Sequence, residues 1–318
     1  MISRRTFIST VAAGAASMLL AGGTRKSYAQ QTINQNAIKG TKLILLGTMG
    51  GARITKPRSS PAQAIIVNGE IYVVDCGYGV ARQLALAGCD LKKLKAVYIT
   101  HHHDDHDLDY GNLLQTAKMS GLTKKVRTYG PHPLKQMFGD YLRLNDYSFN
   151  TYQAFLGMIP LEQLVEVQEV AKDGFVMEDE NVKVSCVNVI HPPIPALAFR
   201  FDAKDRSITL SGDTAPCKDL IKLASGSDVL VHEVAYRPAL EKLAQKLPHY
   251  KGLVKFLLEA HTNVDDAGKI AQEAGVKTLV LTHFVPGDDP TITNEMWLAG
   301  AAKHFKGKII VGKDLAEI

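Results

Sequence analysis

Short apolar runs alternate with amphipathic stretches along most of the chain, which is the pattern of a mixed α/β protein. Strands are predicted at the apolar runs 43–46, 64–67, 70–74, 96–100, 184–190, 208–210, 229–231, 279–281 and 308–311. Helices are predicted where the apolar positions follow a helical period, at 80–86, 112–119, 134–144, 152–156, 265–274 and 294–304. The dipeptide Asn68-Gly69 between two strands is a strong type I′ hairpin signal. Because hairpins precede the helix–strand units, we expect one domain of two sheets sandwiched between helices.

Composition and charge place the chain among globular proteins. Of its 318 residues, 46% are apolar and 22% are charged, which is ample for a buried core. The net charge of +5 suggests an anionic partner, but residues 1–29 hold four basic residues and no acidic one. Subtracting those four charges from +5 leaves +1 on the rest of the chain. We therefore expect no nucleic-acid partner.

The first 29 residues resemble an export signal. An Arg4-Arg5 pair precedes the apolar run 7–20, and Ser27-Tyr28-Ala29 supplies a small-x-small cleavage site. This order resembles a twin-arginine signal peptide, so we expect the twin-arginine export machinery as a partner and a periplasmic or secreted protein. A retained anchor is disfavoured because a bilayer span needs about 20 apolar residues. The prediction is a signal peptide at 1–29, a flexible stem at 30–41 and a mature form without a membrane anchor.

A histidine and aspartate cluster directly follows the predicted strand 96–100. His101, His103, Asp105 and His106 stand in the pattern H-x-H-x-D-H. Imidazole and carboxylate groups are the donors that zinc, manganese or iron accept. Side chains 101 and 103 project to the same side of an extended segment, so they can bind one ion. Asp105 and His106 follow as the chain turns, where they can bind a second.

Three further donors follow other predicted strands. They are His191, Asp213 and His283. Each alone would be an unremarkable surface or capping residue. Their repeated position after a strand is what a metal site on one rim of a sandwich requires.

Together these residues resemble the metallo-β-lactamase superfamily of metal-dependent hydrolases, over essentially all of 43–318. The resemblance implies an α/β fold with four αβ/βα layers, and one hydrolase domain at 42–318 with a helical insert at about 107–180. It also implies two divalent ions, most simply zinc, with manganese or iron as alternatives. The implied ligands are His101, His103 and His191 for the first ion, Asp105, His106 and His283 for the second, and Asp213 as the bridge.

Further motifs resemble one branch of this superfamily, which includes tRNase Z, arylsulfatases and related phosphodiesterases. They are Gly47-Thr48, Asp75-Cys76-Gly77, His232-Glu233 and His261-Thr262. By this resemblance Glu233 orients His261, and His261 stabilises or protonates the leaving oxygen. Asp105 aims the water nucleophile, and Asp75 orients a ligand histidine.

The substrate is expected to be a small molecule. The family's processing ribonucleases carry a long RNA-binding arm between the third ligand histidine and the bridging aspartate, whereas 21 residues separate His191 from Asp213. We therefore expect an exported binuclear-zinc hydrolase of a sulfate or phosphate ester, with an aryl group as one option. Hydrolysis of a carboxylic ester, lactone or carbon–halogen bond is the alternative. An RNA 3′-processing ribonuclease and a non-catalytic metal-binding module rank below both.

Two features leave their role open. Six aromatic residues lie within 138–155, and they either pack in the core or form an apolar wall over the site. The four cysteines show no metal-site or redox spacing, so buried free thiols are the default expectation. They are Cys76, Cys89, Cys186 and Cys217.

Overall fold

The computed structural model describes residues 40–246 and 251–318. The signal peptide predicted at 1–29 and the stem up to residue 39 lie outside the described residues. Within the described residues, no helix is long and apolar enough to cross a membrane.

Within these described ranges, fourteen strands form two sheets. The strands are β1 Thr41–Gly47, β2 Ala62–Val67, β3 Glu70–Val74, β4 Leu94–Tyr98, β5 Val126–Gly130, β6 Val165–Glu169, β7 Gly174–Glu178, β8 Val182–Val189, β9 Ala196–Ala203, β10 Ser207–Leu210, β11 Val229–Ala235, β12 Thr278–Val285, β13 Lys308–Val311 and β14 Ala316–Glu317. The first sheet has the order β14-β1-β2-β3-β4-β5-β6, and the second has the order β13-β12-β11-β10-β9-β8-β7. Each sheet joins an antiparallel hairpin part to a parallel part.

Helices of the described residues pack on the outer faces of both sheets and around the rim. They are α1 Val80–Leu86, α2 Asp104–Asp107, α3 Tyr110–Met119, α4 Leu134–Leu144, α5 Asp146–Leu156, α6 Leu161–Leu164, α7 Lys218–Ala224, α8 Arg237–Lys246, α9 Lys251–Ala260, α10 Val264–Ala274 and α11 Asn294–Ala302. A 3₁₀ turn at Leu91–Lys93 precedes β4.

Three apolar layers hold the sandwich together. The central layer lies between the sheets, where Tyr98 of β4 packs edge-on against Phe199 and Phe201 of β9. A second layer packs α1 and α3 on the first sheet, and a third packs α7, α10 and α11 on the second sheet. This order of layers confirms the predicted αβ/βα sandwich.

Several local predictions are confirmed. Asn68 and Gly69 both have positive φ, 51° and 86°, as a type I′ turn between β2 and β3 requires. Glycine tolerates this conformation because it has no Cβ atom, and asparagine does so because its short polar side chain can hydrogen-bond locally. The four cysteines are buried and free, in agreement with the default expectation.

The prediction of a helical insert at about 107–180 needs correction. This segment contains α3 to α6, but it also contributes β5 and β6 to the first sheet and β7 to the second. The strands β6 and β7 are partly exposed, so their sequences lack the continuous apolar run that marks a buried strand. The segment is therefore an integral part of both sheets.

Two strands occupy most of the chain between His191 and Asp213. Strands β9 and β10 form an antiparallel pair there, with Phe201 opposite Ile208. This segment therefore belongs to the second sheet and contains no protruding arm.

Candidate metal centre

The predicted donors meet at one rim because their strands end there. His101 and His103 follow β4, His191 follows β8, Asp213 follows β10, and His283 lies near the end of β12. Neighbouring parallel strands have their carboxyl ends at the same edge of a sheet, so residues distant in sequence converge there. Asp105 and His106 join them from the short helix α2.

The first group of donors is His101, His103, His191 and Asp213. Nδ1 of His103 lies 3.0 Å from Nε2 of His101 and 3.1 Å from Nε2 of His191. Both Nε2 atoms lie 3.8 Å from Oδ2 of Asp213. Ligands of a tetrahedral zinc at 2.0–2.1 Å lie about 3.3 Å apart, so this spacing suits one ion.

The second group is Asp105, His106 and His283, with Asp213 beside it. Nε2 of His283 lies 3.2 Å from Nε2 of His106 and 3.3 Å from Oδ2 of Asp105. Asp213 reaches both groups, with Oδ1 3.4 Å from Nε2 of His106 and Oδ2 3.2 Å from Nε2 of His283. One carboxylate thus faces two clusters of imidazoles.

The protonation states suit a cation. Burial lowers the pKa of His101, His103 and His191, which favours the neutral rings that ligate metals. Burial alone would raise the pKa of Asp213, but the surrounding imidazoles hold it well below its usual value. Burial alone would lower the pKa of His106, but three nearby carboxylates raise it well above its usual value. The environment around His106 is therefore one that stabilises positive charge.

Two features of the structure test whether these residues fit a metal. Oδ1 of Asp213 is buried and makes no hydrogen bond, although a buried carboxylate oxygen without a partner is costly. Among the described side chains, no lysine or arginine forms an ion pair with Asp75, Asp105, Asp213 or Glu233. Facing imidazole nitrogens, and carboxylates that have no lysine or arginine partner, both fit bound cations.

Hydrogen bonds outside the donor cluster hold the rings in place. Nδ1 of His106 donates to Oδ2 of Asp75 over 2.8 Å, and the Thr100 amide donates to Oδ1 of Asp75 over 2.7 Å, which fixes the carboxylate. Nδ1 of His191 donates to the Ala260 carbonyl over 2.9 Å. Such bonds leave Nε2 free to face a metal and fix the tautomer of the ring. The position of Asp75 agrees with its expected orienting role.

The glycine-rich loop after β1 also reaches the site. The Gly51 amide donates to Oδ2 of Asp105 over 2.8 Å. A Cβ atom at Gly50 would lie 2.8 Å from Nδ1 of His283, which is closer than real Cβ contacts. This close approach explains why the loop has glycine at position 50.

Glu233 and His261 form a buried pair at the edge of the cluster. Oε1 of Glu233 accepts from the amides of Thr214 and Thr262 at 3.1 and 3.0 Å, and from Nδ1 of His261 at 3.2 Å. Burial opposes protonation of His261, but the Glu233 charge and hydrogen bond raise its pKa to about 9. Nδ1 of His261 also lies 3.9 Å from Oδ2 of Asp213. The pair can therefore hold a proton beside the donors.

His102 interrupts the motif and lies away from the donors. Its Nδ1 lies 2.8 Å from Oδ2 of Asp107, and its Nε2 lies 2.9 Å from the Pro131 carbonyl. His102 therefore ties α2 to the loop after β5. The alternation of His101 and His103 around it agrees with the expected geometry of H-x-H.

A pocket of about 560 Å³ opens beside the donors, and its apolar wall was not predicted from the sequence. The wall residues on α8 and α9 are Leu240, Leu243, Leu253, Phe256 and Leu257. The i, i+3, i+4 spacing of the last three, Leu253, Phe256 and Leu257, was the available signal.

The hypothesis that the aromatic segment 138–155 forms a wall over the site is wrong for the described side chains. Phe138 and Phe149 are buried in the layer outside the first sheet, and Tyr147 and Phe155 are exposed. None of these lines the pocket. Aromatic residues pack well in either setting, so their density in sequence does not indicate where they lie.

A second, water-sized cavity of about 20 Å³ lies beneath the donors. Its lining includes Glu233, Thr282 and Asp213. Oε2 of Glu233 and Oγ1 of Thr282 are buried without a hydrogen-bond partner. One water needs about this volume and two to four polar partners, so the cavity suits a single buried water.

The sandwich and its donor-lined rim define a metal-dependent hydrolase fold. A family model described as the Beta-lactamase superfamily domain matches residues 71–284, which is more than half of the chain. The chain therefore belongs to the metallo-β-lactamase superfamily.

Its curated relatives narrow the branch. A protein named Ribonuclease Z from Mycobacterium bovis (strain BCG / Pasteur 1173P2) is 31% identical over 282 residues, covering 87% of this chain and 97% of the relative. Another Ribonuclease Z, from Mycobacterium sp. (strain KMS), is 34% identical over 284 residues, covering 87% and 95%. The similarity thus spans nearly the whole length of each relative.

Solved structures agree on the fold. The short form of human tRNase Z superposes with a TM-score of 0.64 at 21% identity, covering 87% of this chain and 98% of that one. The metallo-β-lactamase fold protein YhfI from Bacillus subtilis gives the same TM-score and coverage at 19% identity. At these identities the likeness supports the fold alone.

The relatives overturn two expectations. A small-molecule sulfate, phosphate or carboxylic ester as substrate, and the absence of a nucleic-acid partner, are contradicted by relatives named Ribonuclease Z. The reasoning failed because a net charge averaged over the chain does not describe the field at one rim. Two divalent ions would add four positive charges there.

Proposed function

We propose that this protein hydrolyses phosphodiester bonds of RNA at a centre of two divalent ions, most simply zinc. The observation that carries the proposal is a pair of donor groups sharing Asp213, in a chain related over 87% of its length to proteins named Ribonuclease Z. His101, His103 and His191 would hold one ion, and Asp105, His106 and His283 the other. Bound there, two ions supply Lewis acidity that lowers the pKa of coordinated water and neutralises a phosphodiester.

The chain's own residues supply orientation and protons. Oδ2 of Asp105 accepts a hydrogen bond from the Gly51 amide, which fixes the Asp105 carboxylate at the centre. In this position the carboxylate can also accept a hydrogen bond from a water nucleophile. His261, held by Glu233, is charged at neutral pH according to its raised pKa. It can therefore donate a proton to the leaving ribose oxygen.

Cleavage of RNA by the metal-loaded protein tests this proposal. The substrate is a structured RNA with a single-stranded 3′ extension, and the products are resolved on a denaturing gel. We expect zinc-dependent internal cleavage, abolished by Asp105→Ala. The control Glu259→Ala removes an exposed carboxylate that belongs to none of the donor groups and does not line the pocket, and it should retain activity. A fully metal-loaded protein that leaves all RNA intact would refute the proposal.

Export stays a prediction from residues 1–29. Cell fractionation followed by N-terminal sequencing tests it. A mature chain beginning near Gln30 in the periplasmic fraction is expected, and an intact Met1 in the cytoplasm would contradict it.

A further inference from the structure

The pocket of about 560 Å³ is continuous with the candidate metal centre. Its lining includes the donors His103, Asp105, Asp213 and His283, and also His261. A phosphate held at that centre would therefore have one of its flanking nucleosides inside the pocket. Pockets of about 300–1,000 Å³ are the usual size for small-molecule groups.

An aromatic ring forms the part of the apolar wall nearest the donors. The Phe256 ring centroid lies 5.6 Å from that of His191 and 6.1 Å from those of His103 and His261, edge to face in each case. Leu253 and Leu257 extend the wall along α9. These contacts hold the ring against the ligand histidines, so it is a fixed surface.

The helices that carry this wall are anchored by their own small core. Leu240 of α8 is buried against Ala235 and Val285 at the ends of β11 and β12, and Leu257 packs against this cluster. Leu253 is 49% exposed although it lines the pocket. Part of the wall is thus open to a ligand.

Away from the donors, the described lining of the pocket offers little positive charge to a second phosphate. Arg53 is the only lysine or arginine among the described lining residues, and its Nη2 lies 3.1 Å from Oδ1 of Asp288. The other charged lining groups include Asp104, Asp105 and Asp213. A flat, uncharged group suits this surface better than the anionic backbone does.

We infer that the wall formed by Leu253, Phe256 and Leu257 binds the base of the nucleotide adjacent to the scissile phosphate. The inference rests on the proposed function and specifies its substrate as a nucleotide whose base is unpaired. A paired base would reach the wall only at the cost of unpairing and unstacking, a few kcal/mol, which an unpaired base avoids. Contact with an aromatic ring tolerates every base, because each has a π-face.

Binding of mononucleotides tests the inference without catalysis. The probes are adenosine 5′-monophosphate and ribose 5-phosphate, which differ by the base, and calorimetry on the zinc-loaded protein gives both affinities. We expect the nucleotide to bind roughly 5- to 150-fold more tightly, the range for stacking of one base on an aromatic side chain. Phe256→Ala should make the affinities of the two probes nearly equal, whereas Phe256→Tyr should preserve the difference between them.

Two further variants test whether the effect is specific to the wall. Leu253→Asp places a charge at an exposed part of the wall and should reduce the ratio without unfolding the protein. Phe155→Ala removes an exposed phenylalanine outside the pocket and should leave the ratio unchanged. Equal binding of the two probes to the wild-type protein, or equal weakening of both by Phe256→Ala, would overturn the inference.

Cleavage of a short single-stranded RNA separates this inference from the proposed function. In one version of the RNA, both nucleotides flanking the scissile bond are abasic. We expect Phe256→Ala to raise KM for the intact RNA and to leave KM for the abasic RNA unchanged, with kcat similar for both. If the protein cleaves neither RNA but still binds adenosine 5′-monophosphate more tightly than ribose 5-phosphate, the proposed function is refuted and the base site is not. Cleavage with identical KM values for both RNAs would refute the base site alone.

Discussion

Glu233→Gln removes one charge from the buried Glu233–His261 pair while preserving its shape. The glutamine carbonyl can still accept from the two backbone amides that Glu233 now binds. The loss is therefore confined to the charge that raises the pKa of His261 from 6.5 to about 9. A shift of that size corresponds to about 3 kcal/mol of preference for the protonated ring. If His261 protonates the leaving oxygen, kcat should fall about fourfold at pH 7, where about a quarter of the rings stay protonated, and about 100-fold at pH 9, the pH chosen for the assay.

Steady-state kinetics of the zinc-loaded protein on RNA measures this loss. We expect the change in kcat, with KM altered less than about threefold, since the pair acts on the leaving group and not on binding. Glu259→Gln is the matched control, because it removes an exposed carboxylate two residues before His261. A kcat for Glu233→Gln within threefold of wild type, or a loss confined to KM, would refute the proton-donor role.

The same variant has a predicted pH signature in stability. A histidine whose pKa is raised by folding stabilises the protein fully below its unfolded pKa, and that contribution is lost as pH rises through the folded value. In chelator-treated protein, urea unfolding should therefore show the largest destabilisation by Glu233→Gln near pH 6. The difference should shrink between pH 6.5 and about 9. A destabilisation by Glu233→Gln that grows with pH would contradict the pairing of Glu233 with a protonated His261.

Three further perturbations have expected outcomes. Asp213→Ala removes the carboxylate shared by the two donor groups, so metal analysis should find fewer than two ions per chain, and two retained ions would exclude its bridging role. Asp228→Asn loses the ion pair with Lys277 and should lower the free energy of unfolding at pH 7 by about 1 kcal/mol, because solvent screens an exposed pair. Because the pKa of Asp228 is lowered to about 2, this difference should disappear as pH falls toward 2, and a constant difference would contradict it. Gly268→Ala would place a Cβ against the Ala301 carbonyl, so thermal unfolding should show a loss of about 1–3 kcal/mol, and a raised Tm would show that α10 and α11 can separate freely.

The donor cluster could be predicted from the sequence because its signals are local. The motif from His101 to His106 lies within six residues, and each downstream donor follows an apolar strand. The parallel strands then bring these positions to one edge by geometry alone. The Glu233–His261 contact was expected only by resemblance, since 28 positions separate the two residues.

The apolar wall could not be predicted because its position depends on packing between distant elements. Leu240 meets Val285 only when α8 docks on the ends of β11 and β12. No helix was predicted from the sequence at α9, and the aromatic segment 138–155 is a stronger apolar signal. The role of that segment stayed open between core packing and a wall, because the density of aromatic residues does not indicate where they lie.

The donors of the centre are divided between the two sheets. His101 to His106 follow a strand of the first sheet, whereas His191, Asp213 and His283 belong to the second. Neither sheet alone carries both groups, so the site can assemble only after the sheets have docked. A bound ion is thus a cross-link between the two halves of the chain, and at a hundredfold excess over its Kd it would stabilise their union by about 2.7 kcal/mol. Metal supply would then govern the stability of the folded sandwich as well as its chemistry.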